Sequence, residues 1–103
     1  IFTAGQVAWD ETGEVTGIGD VAAQTRQTLK NVVAVLHEGG ATVDDVIKCN
    51  VYLADIRDFD IMNAEFAKVF PTDPPARTTV EARLAEATML VEIEAVAWFA
   101  PES

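Results

Sequence analysis

Pro75-Ala76-Arg77-Thr78-Thr79-Val80 and Met89-Leu90-Val91-Glu92-Ile93-Glu94-Ala95-Val96-Ala97-Trp98-Phe99 are the stretches on which the fold turns. Both alternate in polarity, the mark of half-buried strands, because successive side chains of an extended chain point to opposite sides. In the first, read as about Ala76 to Leu84, Thr78, Val80, Ala82 and Leu84 share one side, while Arg77, Thr79, Glu81 and Arg83 share the other. In the second, Val91, Ile93, Ala95, Ala97 and Phe99 oppose Leu90, Glu92, Glu94, Val96 and Trp98. Only Ala85-Glu86-Ala87-Thr88 separates them, so the spacing predicts a hairpin.

Working upstream, Val46 to Leu53 alternates in the same way, with Ile47, Cys49, Val51 and Leu53 on one face and Lys48, Asn50 and Tyr52 on the other. Two helices flank this strand. From Asp20 to about Glu38, Ala22, Thr25, Leu29, Val32, Val33 and Leu36 recur at helical spacing, with Asp20 as N-cap and Gly39-Gly40 as the stop. From about Asp58 to Val69, Phe59, Met62, Phe66 and Val69 form a second apolar stripe, ended by Phe70-Pro71. At the start, residues 1 to 8 and about 14 to 18 read as a strand and a short strand or loop around the turn Asp10-Glu11-Thr12-Gly13.

The order β, β, α, β, α, β, β predicts an α+β domain, with two helices packed on one face of a mixed, mainly antiparallel sheet. The other face would carry Tyr52, Val96 and Trp98 among charged groups, with Arg77 and Thr79 beside them. That is too apolar for solvent and too polar for a closed core, so it is expected to be a subunit interface containing a polar pocket.

At 103 residues the chain is read as one domain, 1–103. Half its residues are hydrophobic, enough for a core, yet no apolar run approaches the roughly 20 residues of a membrane span. Seventeen acidic against seven basic residues, a net charge of −10, would repel phosphate backbones and argue against nucleic acid as a partner. The single cysteine, Cys49, can form no internal disulfide and has no Cys or His at ligand spacing, which fits a reducing, cytoplasmic setting. Ile1-Phe2-Thr3-Ala4-Gly5 already reads as a strand without an initiator Met, so some N-terminal residues are expected to be missing.

Read in order, Thr3-Ala4-Gly5-Gln6, Val21 to Asn31, Asp58-Phe59, Asn63, Pro75-Ala76-Arg77 and Val91-Glu92-Ile93-Glu94 resemble the Rid family, the YjgF/UK114 group of enamine/imine deaminases. The most specific part is Pro-Ala-Arg on one strand and Glu-Ile-Glu on the next, with Glu92 fifteen positions after Arg77. The resemblance implies a chorismate-mutase-like fold in which three subunits close their sheets into a barrel, with ligand clefts between neighbours. It further implies hydrolysis of reactive 2-imino acids and their enamine tautomers to 2-keto acids and ammonia, with no cofactor.

Within that resemblance Arg77 would bind the substrate carboxylate, since a planar guanidinium offers two parallel donors and so fixes orientation as well as charge. The alternative is an ordinary ion pair with Glu81 or Glu94. Glu92 matches the family's general base, which delivers water to the imine carbon and shuttles protons to nitrogen; otherwise it is a solvated or interface carboxylate. Thr79 stands where many members carry a cysteine whose backbone N–H assists carboxylate binding, and that donor survives the change. Gly5 would allow close approach at the cleft, or else mark a bulge. Ala4 departs from the family's serine and lacks its hydroxyl. Asn63 would border the cleft or bond neighbouring backbone. His37, in the last turn of the first helix, and Cys49, on an apolar strand face, are given no catalytic role.

In the predicted hairpin Arg77 lies opposite Val96 and Glu81 opposite Glu92. Arg77 and Glu92 are then about four residues apart, on the order of 13 Å, too far for one small acid to touch both. A subunit boundary or a bulge is expected to bring them together. The readings to be weighed are a deaminase, a non-catalytic trimer that binds or senses a small carboxylate, and an endoribonuclease, against which the charge argues.

Overall fold

The computed structural model describes residues 1–100; the last three residues of the chain lie outside that range. Asp20 starts helix α1 (Val21–Glu38) by accepting the Ala23 N–H through its side chain at 3.0 Å. The helix stops where Gly40 turns to φ +87°, a conformation glycine takes without steric cost, and Ala41 N donates back to the Leu36 carbonyl at 2.8 Å. The buried stripe of α1 contains Leu29, Val32 and Leu36, and also Gln24, Thr25 and Thr28. Gln24 can be fully buried because both polar atoms of its amide are paired: Nε2 donates to the Thr88 carbonyl at 2.7 Å and Oε1 accepts from Leu90 N at 2.8 Å.

Strand β1 (Val46–Leu53) follows α1, and after a short 3₁₀ turn at Ile56–Asp58 comes helix α2 (Phe59–Val69). Strand β2 (Ala76–Glu81) then pairs parallel with β1, from Lys48↔Ala76 to Leu53↔Glu81. Parallel neighbours need a crossover, which α2 supplies. Strand β3 (Val91–Ala97) pairs antiparallel with the other side of β1, so the order is β2-β1-β3.

This order corrects the expected hairpin: β2 and β3 do not touch each other, and β1 lies between them. The nine residues between β2 and β3 step across the end of β1. Ala82 N donates to the Leu53 carbonyl at 2.9 Å and Ala54 N to that of Leu90 at 3.0 Å, while Gln24 ties down Thr88 and Leu90 from α1. The segment is thus a bridge anchored at both ends.

A second correction concerns Ile47. The register slips between Val46 and Lys48, a bulge that sends Val46 inward, 7% exposed, and leaves Ile47 at 54%. Beyond the bulge, Cys49, Val51 and Leu53 join Leu29, Leu36, Met62, Phe66 and Ile93 in the core between the sheet and the helices. The opening residues run along the outer edge of β3: Thr3 N donates to Ala95 O, and Gln6 and Ile93 exchange both backbone bonds. They make isolated bridges there instead of the predicted regular strand. The Asp10 to Gly13 turn forms as expected, with Gly13 at φ +82° and Asp10 Oδ1 accepting from Thr12 and Glu14.

The architecture is therefore α+β, with two helices on one face of a mixed sheet. No helix among the described residues is long and apolar enough to cross a membrane.

Candidate functional site

Cross-strand partners share a face of a sheet, so the register fixes where each functional side chain stands. Arg77 is paired with Cys49, and Cys49 with Ala95, which puts Arg77 on the helix side. Thr79, paired with Val51, is there too. Glu92 is paired with Tyr52, and Tyr52 with Val80, on the open side. The expectation that Arg77 and Thr79 share the mixed face with Tyr52, Val96 and Trp98 is therefore overturned. That reading aligned the two outer strands directly, and the intervening β1 changes both their register and their relation of faces.

On the helix side, the Arg77 guanidinium lies over the ring of Phe66, 4.7 Å from its centroid, and 5.3 Å from that of Phe59. Both distances fall within the range of a cation–π contact. The ion pairs among the described residues, Arg26–Glu65, Arg57–Asp55 and Lys68–Glu65, leave Arg77 out. The alternative of an ion pair with Glu81 or Glu94 is not realised: Glu81 accepts from Ile56 N, and Glu94 is occupied on the opposite face. Arg77 instead lines a cavity of about 560 Å³ with Asn63, Phe66, Phe70, Pro71 and Pro74. This is the size of a small-molecule site, apolar in its walls with one cation and one amide.

The backbone adds donors. Ala82 N points to β1, so by alternation the N–H groups of Thr78 and Val80 do so as well, while those of Arg77 and Thr79 point off the open edge of the sheet. A guanidinium and two edge amides thus stand side by side. The Thr79 hydroxyl, by contrast, is shut off from solvent and has no partner.

On the open side, Glu92 is half-buried beside Gly5. A Cβ on Gly5 would fall 2.9 Å from the carboxyl carbon of Glu92, so only glycine leaves that carboxylate its place. The contact exists because Gln6 pairs with Ile93, which brings Gly5 alongside Glu92. Ala4 and Gly5 are both exposed. Two register steps away on the same face, Glu94 Oε1 accepts from the Tyr52 hydroxyl at 2.6 Å and from Asn50 Nδ2 at 3.1 Å. That hydrogen bond, reinforced by slight desolvation and the negative charge of Glu94, pushes the Tyr52 phenol above its ordinary range.

The residues singled out from sequence therefore fall into two groups. Arg77, Thr79 and Asn63 lie at the β2 edge over α2, and Ala4, Gly5 and Glu92 lie on the open face. Within one chain Arg77 and Glu92 are separated by three register steps and two strand spacings, about 10 Å in each direction, with the sheet between them. The bulge lies at the far end of β1 and does not bring them together. The contact of Phe59 and Phe66 with Arg77 is not legible in the sequence, because both read as the core stripe of a helix. The pairing of Tyr52 with Glu94 was missed because it needs the β1–β3 register. Among the described residues no group of three or more His, Cys, Asp or Glu side chains is placed to hold a metal ion.

A small α+β domain with a cation and free amides at a sheet edge defines the class. Its family is defined by residues 1–99, which match the family model described as Endoribonuclease L-PSP. A RutC family protein of Pyrococcus abyssi is 42% identical over 99 residues, covering 95% of this chain and 77% of the relative. One of Synechocystis is 41% identical, covering 94% and 76%. Among solved structures, the Escherichia coli YjgF gene product matches with TM-score 0.85 at 40% identity over 93% of this chain and 77% of that one. E. coli TdcF with bound serine matches with TM-score 0.87 at 35% identity over 96% and 80%. The chain belongs to this YjgF/Rid family.

Proposed function

We propose that this protein hydrolyses reactive 2-imino acids and their enamine tautomers to 2-keto acids and ammonia. The observation that carries this reading is Arg77, whose fork is free of protein carboxylates and faces a small cavity beside two unpaired edge amides. Such a site suits a compact carboxylate. The bound serine of TdcF, itself a small amino acid with a carboxylate, is in keeping with it.

In the proposed reaction Arg77 and the Thr79 N–H hold the carboxylate, leaving the imine carbon exposed. Glu92 takes a proton from water as the oxygen adds to that carbon, and returns it to nitrogen. The resulting carbinolamine gives its hydroxyl proton to Glu92, which passes it to the amino nitrogen, and collapses to the ketone as the carbon–nitrogen bond breaks and ammonia leaves. No cofactor is needed to balance these steps.

Because Arg77 and Glu92 face opposite ways, the working site is proposed to form between subunits of a homotrimer, with Glu92, Ala4 and Gly5 supplied by one copy and Arg77, Thr79 and Asn63 by the next. The open face supports an assembly: Phe2 is 82% and Trp98 67% exposed beside β3, and Val80 is 41% exposed on β2. The compartment proposed is the cytoplasm, where the free thiol of Cys49 would persist.

The test is the decay of 2-iminopropanoate or 2-iminobutanoate, produced in situ and followed with and without protein. Accelerated decay that Arg77→Ala abolishes is expected. Binding of 2-oxobutanoate without acceleration would replace the enzyme by a carboxylate-binding or sensor protein, a reading that Ala4 favours by lacking the hydroxyl of the family's serine. The family's descriptive name favours a nuclease instead. The charge of −10 opposes it, and RNA cleavage that persists in Arg77→Ala would assign any such signal elsewhere.

A further inference from the structure

We infer that Phe59 and Phe66 are positioning residues for Arg77, an aromatic shelf that sets the orientation of the guanidinium before any ligand arrives. The inference rests on the reading of Arg77 as the carboxylate binder. Phe66 is 3% exposed and stacks on Phe70 with centroids 4.8 Å apart, so its ring cannot swing away. Phe59 is one heptad earlier on α2, half-buried, and meets the same guanidinium. The faces of a guanidinium are weakly hydrated and stack on rings at little cost, while its five in-plane N–H donors stay available at the edge.

Core packing alone would explain Phe66 but not the seat of Arg77 upon it. In a chain with 17 acidic residues, a long cationic side chain at a sheet edge has carboxylates to pair with, as Arg26 and Arg57 do. Arg77 is held away from them on the rings. A side chain so placed keeps less rotamer freedom to lose when it closes on a carboxylate. The shelf therefore acts on ligand binding and not on the chemical step.

Graded ring fluorination tests this, because fluorine weakens the negative face of the ring with little change of shape. Phe66, and separately Phe59, is replaced by mono-, di- and trifluorophenylalanine. KM for 2-iminobutanoate and Kd for 2-oxobutanoate are expected to rise stepwise, by about tenfold across the series, for a cation–π contact of the usual strength. The kcat is expected to stay within about twofold, as for a loss of uniform binding. Phe59→Tyr should keep wild-type KM and Phe59→Leu should raise it. A flat series in folded protein, with Arg77→Ala still abolishing binding, would overturn the shelf while leaving the role of Arg77 intact. If Arg77→Ala itself leaves KM and Kd unchanged, the carboxylate reading fails and the shelf with it.

Discussion

Arg77 and Glu92 stand on opposite faces of one sheet, with β1 between the strands that carry them. A site that needs both must take them from different copies. Arg77→Ala and Glu92→Gln, each inactive alone, should then complement when unfolded and refolded together. Random mixing in a closed symmetric trimer leaves about one quarter of the interfaces with both native residues, and hence about a quarter of wild-type activity. No recovery in a mixture shown by mass spectrometry to contain hybrid trimers would sink the shared site.

Gly5→Ala should separate activity from stability. Gly5 does not occupy the left-handed region, so the backbone accepts alanine, but the new methyl needs the place of the Glu92 carboxylate. If Glu92 transfers the proton as proposed, deamination should fall by about tenfold or more through its displacement. Unfolding free energy should change by less than about 1 kcal/mol, as for other exposed substitutions. Retained kcat would separate Glu92 from the chemistry.

Thr79→Val should stabilise the fold. It removes a buried hydroxyl that has no partner and keeps the side-chain shape, a gain of about 1 kcal/mol, or roughly 4 °C in Tm. Activity should be unchanged, since the edge N–H remains. A loss of substrate affinity would instead assign the hydroxyl to the ligand.

Acid should weaken the joint between the helices. Glu65, buried on α2, accepts from Lys68 at 3.0 Å and from Arg26 of α1 at 2.8 Å. The Lys68 hydrogen bond first, with help from Arg26 and against the opposing effect of desolvation, holds its carboxyl below the ordinary value of 4.5. The folded pKa is depressed, so this contribution is present above about pH 4.5 and is lost as pH falls through the folded value. Glu65→Gln should cost about 1 kcal/mol in urea unfolding at pH 7, because both cations are mostly exposed. The gap from wild type should narrow as pH falls below about 4.5 and the carboxyl is protonated.

Alkali should act through Cys49. Burial pushes its thiol from 9.0 up to about 11, against the weaker pull of Arg77 and Lys48. The folded pKa is raised, so this contribution is intact below pH 9 and is lost as pH climbs towards 11. Over that interval wild type should lose on the order of 2 kcal/mol relative to Cys49→Ala. Parallel curves for the two proteins would remove the thiol as the cause.

The elements were legible where local chemistry marks them. Asp20 and Gly40 bound α1, and alternation marks Val46 to Leu53 and Val91 to Ala97. Neighbourhood was not legible. Alternation tells which residues share a side, but not whether the next strand in sequence is the next in space. The short link after β2 suggested a hairpin, whereas α2 had already carried β2 to one side of β1. The bulge at Ile47 leaves no mark in an apolar run. The same limits apply to the site: Arg77 and Glu92 stand out as a motif, but their opposite faces follow from the β1 register. The seat of Arg77 on Phe66 follows from the docking of α2.

The unpaired edge of β2 also bears on solubility. A row of free amide and carbonyl groups is a template for any extended chain, and long exposed edges seed fibres. Here the strand is six residues long and is preceded by Pro74 and Pro75, neither of which can donate to a ladder. The backbone polarity proposed to grip one small acid is thus kept too short to recruit another strand along its length.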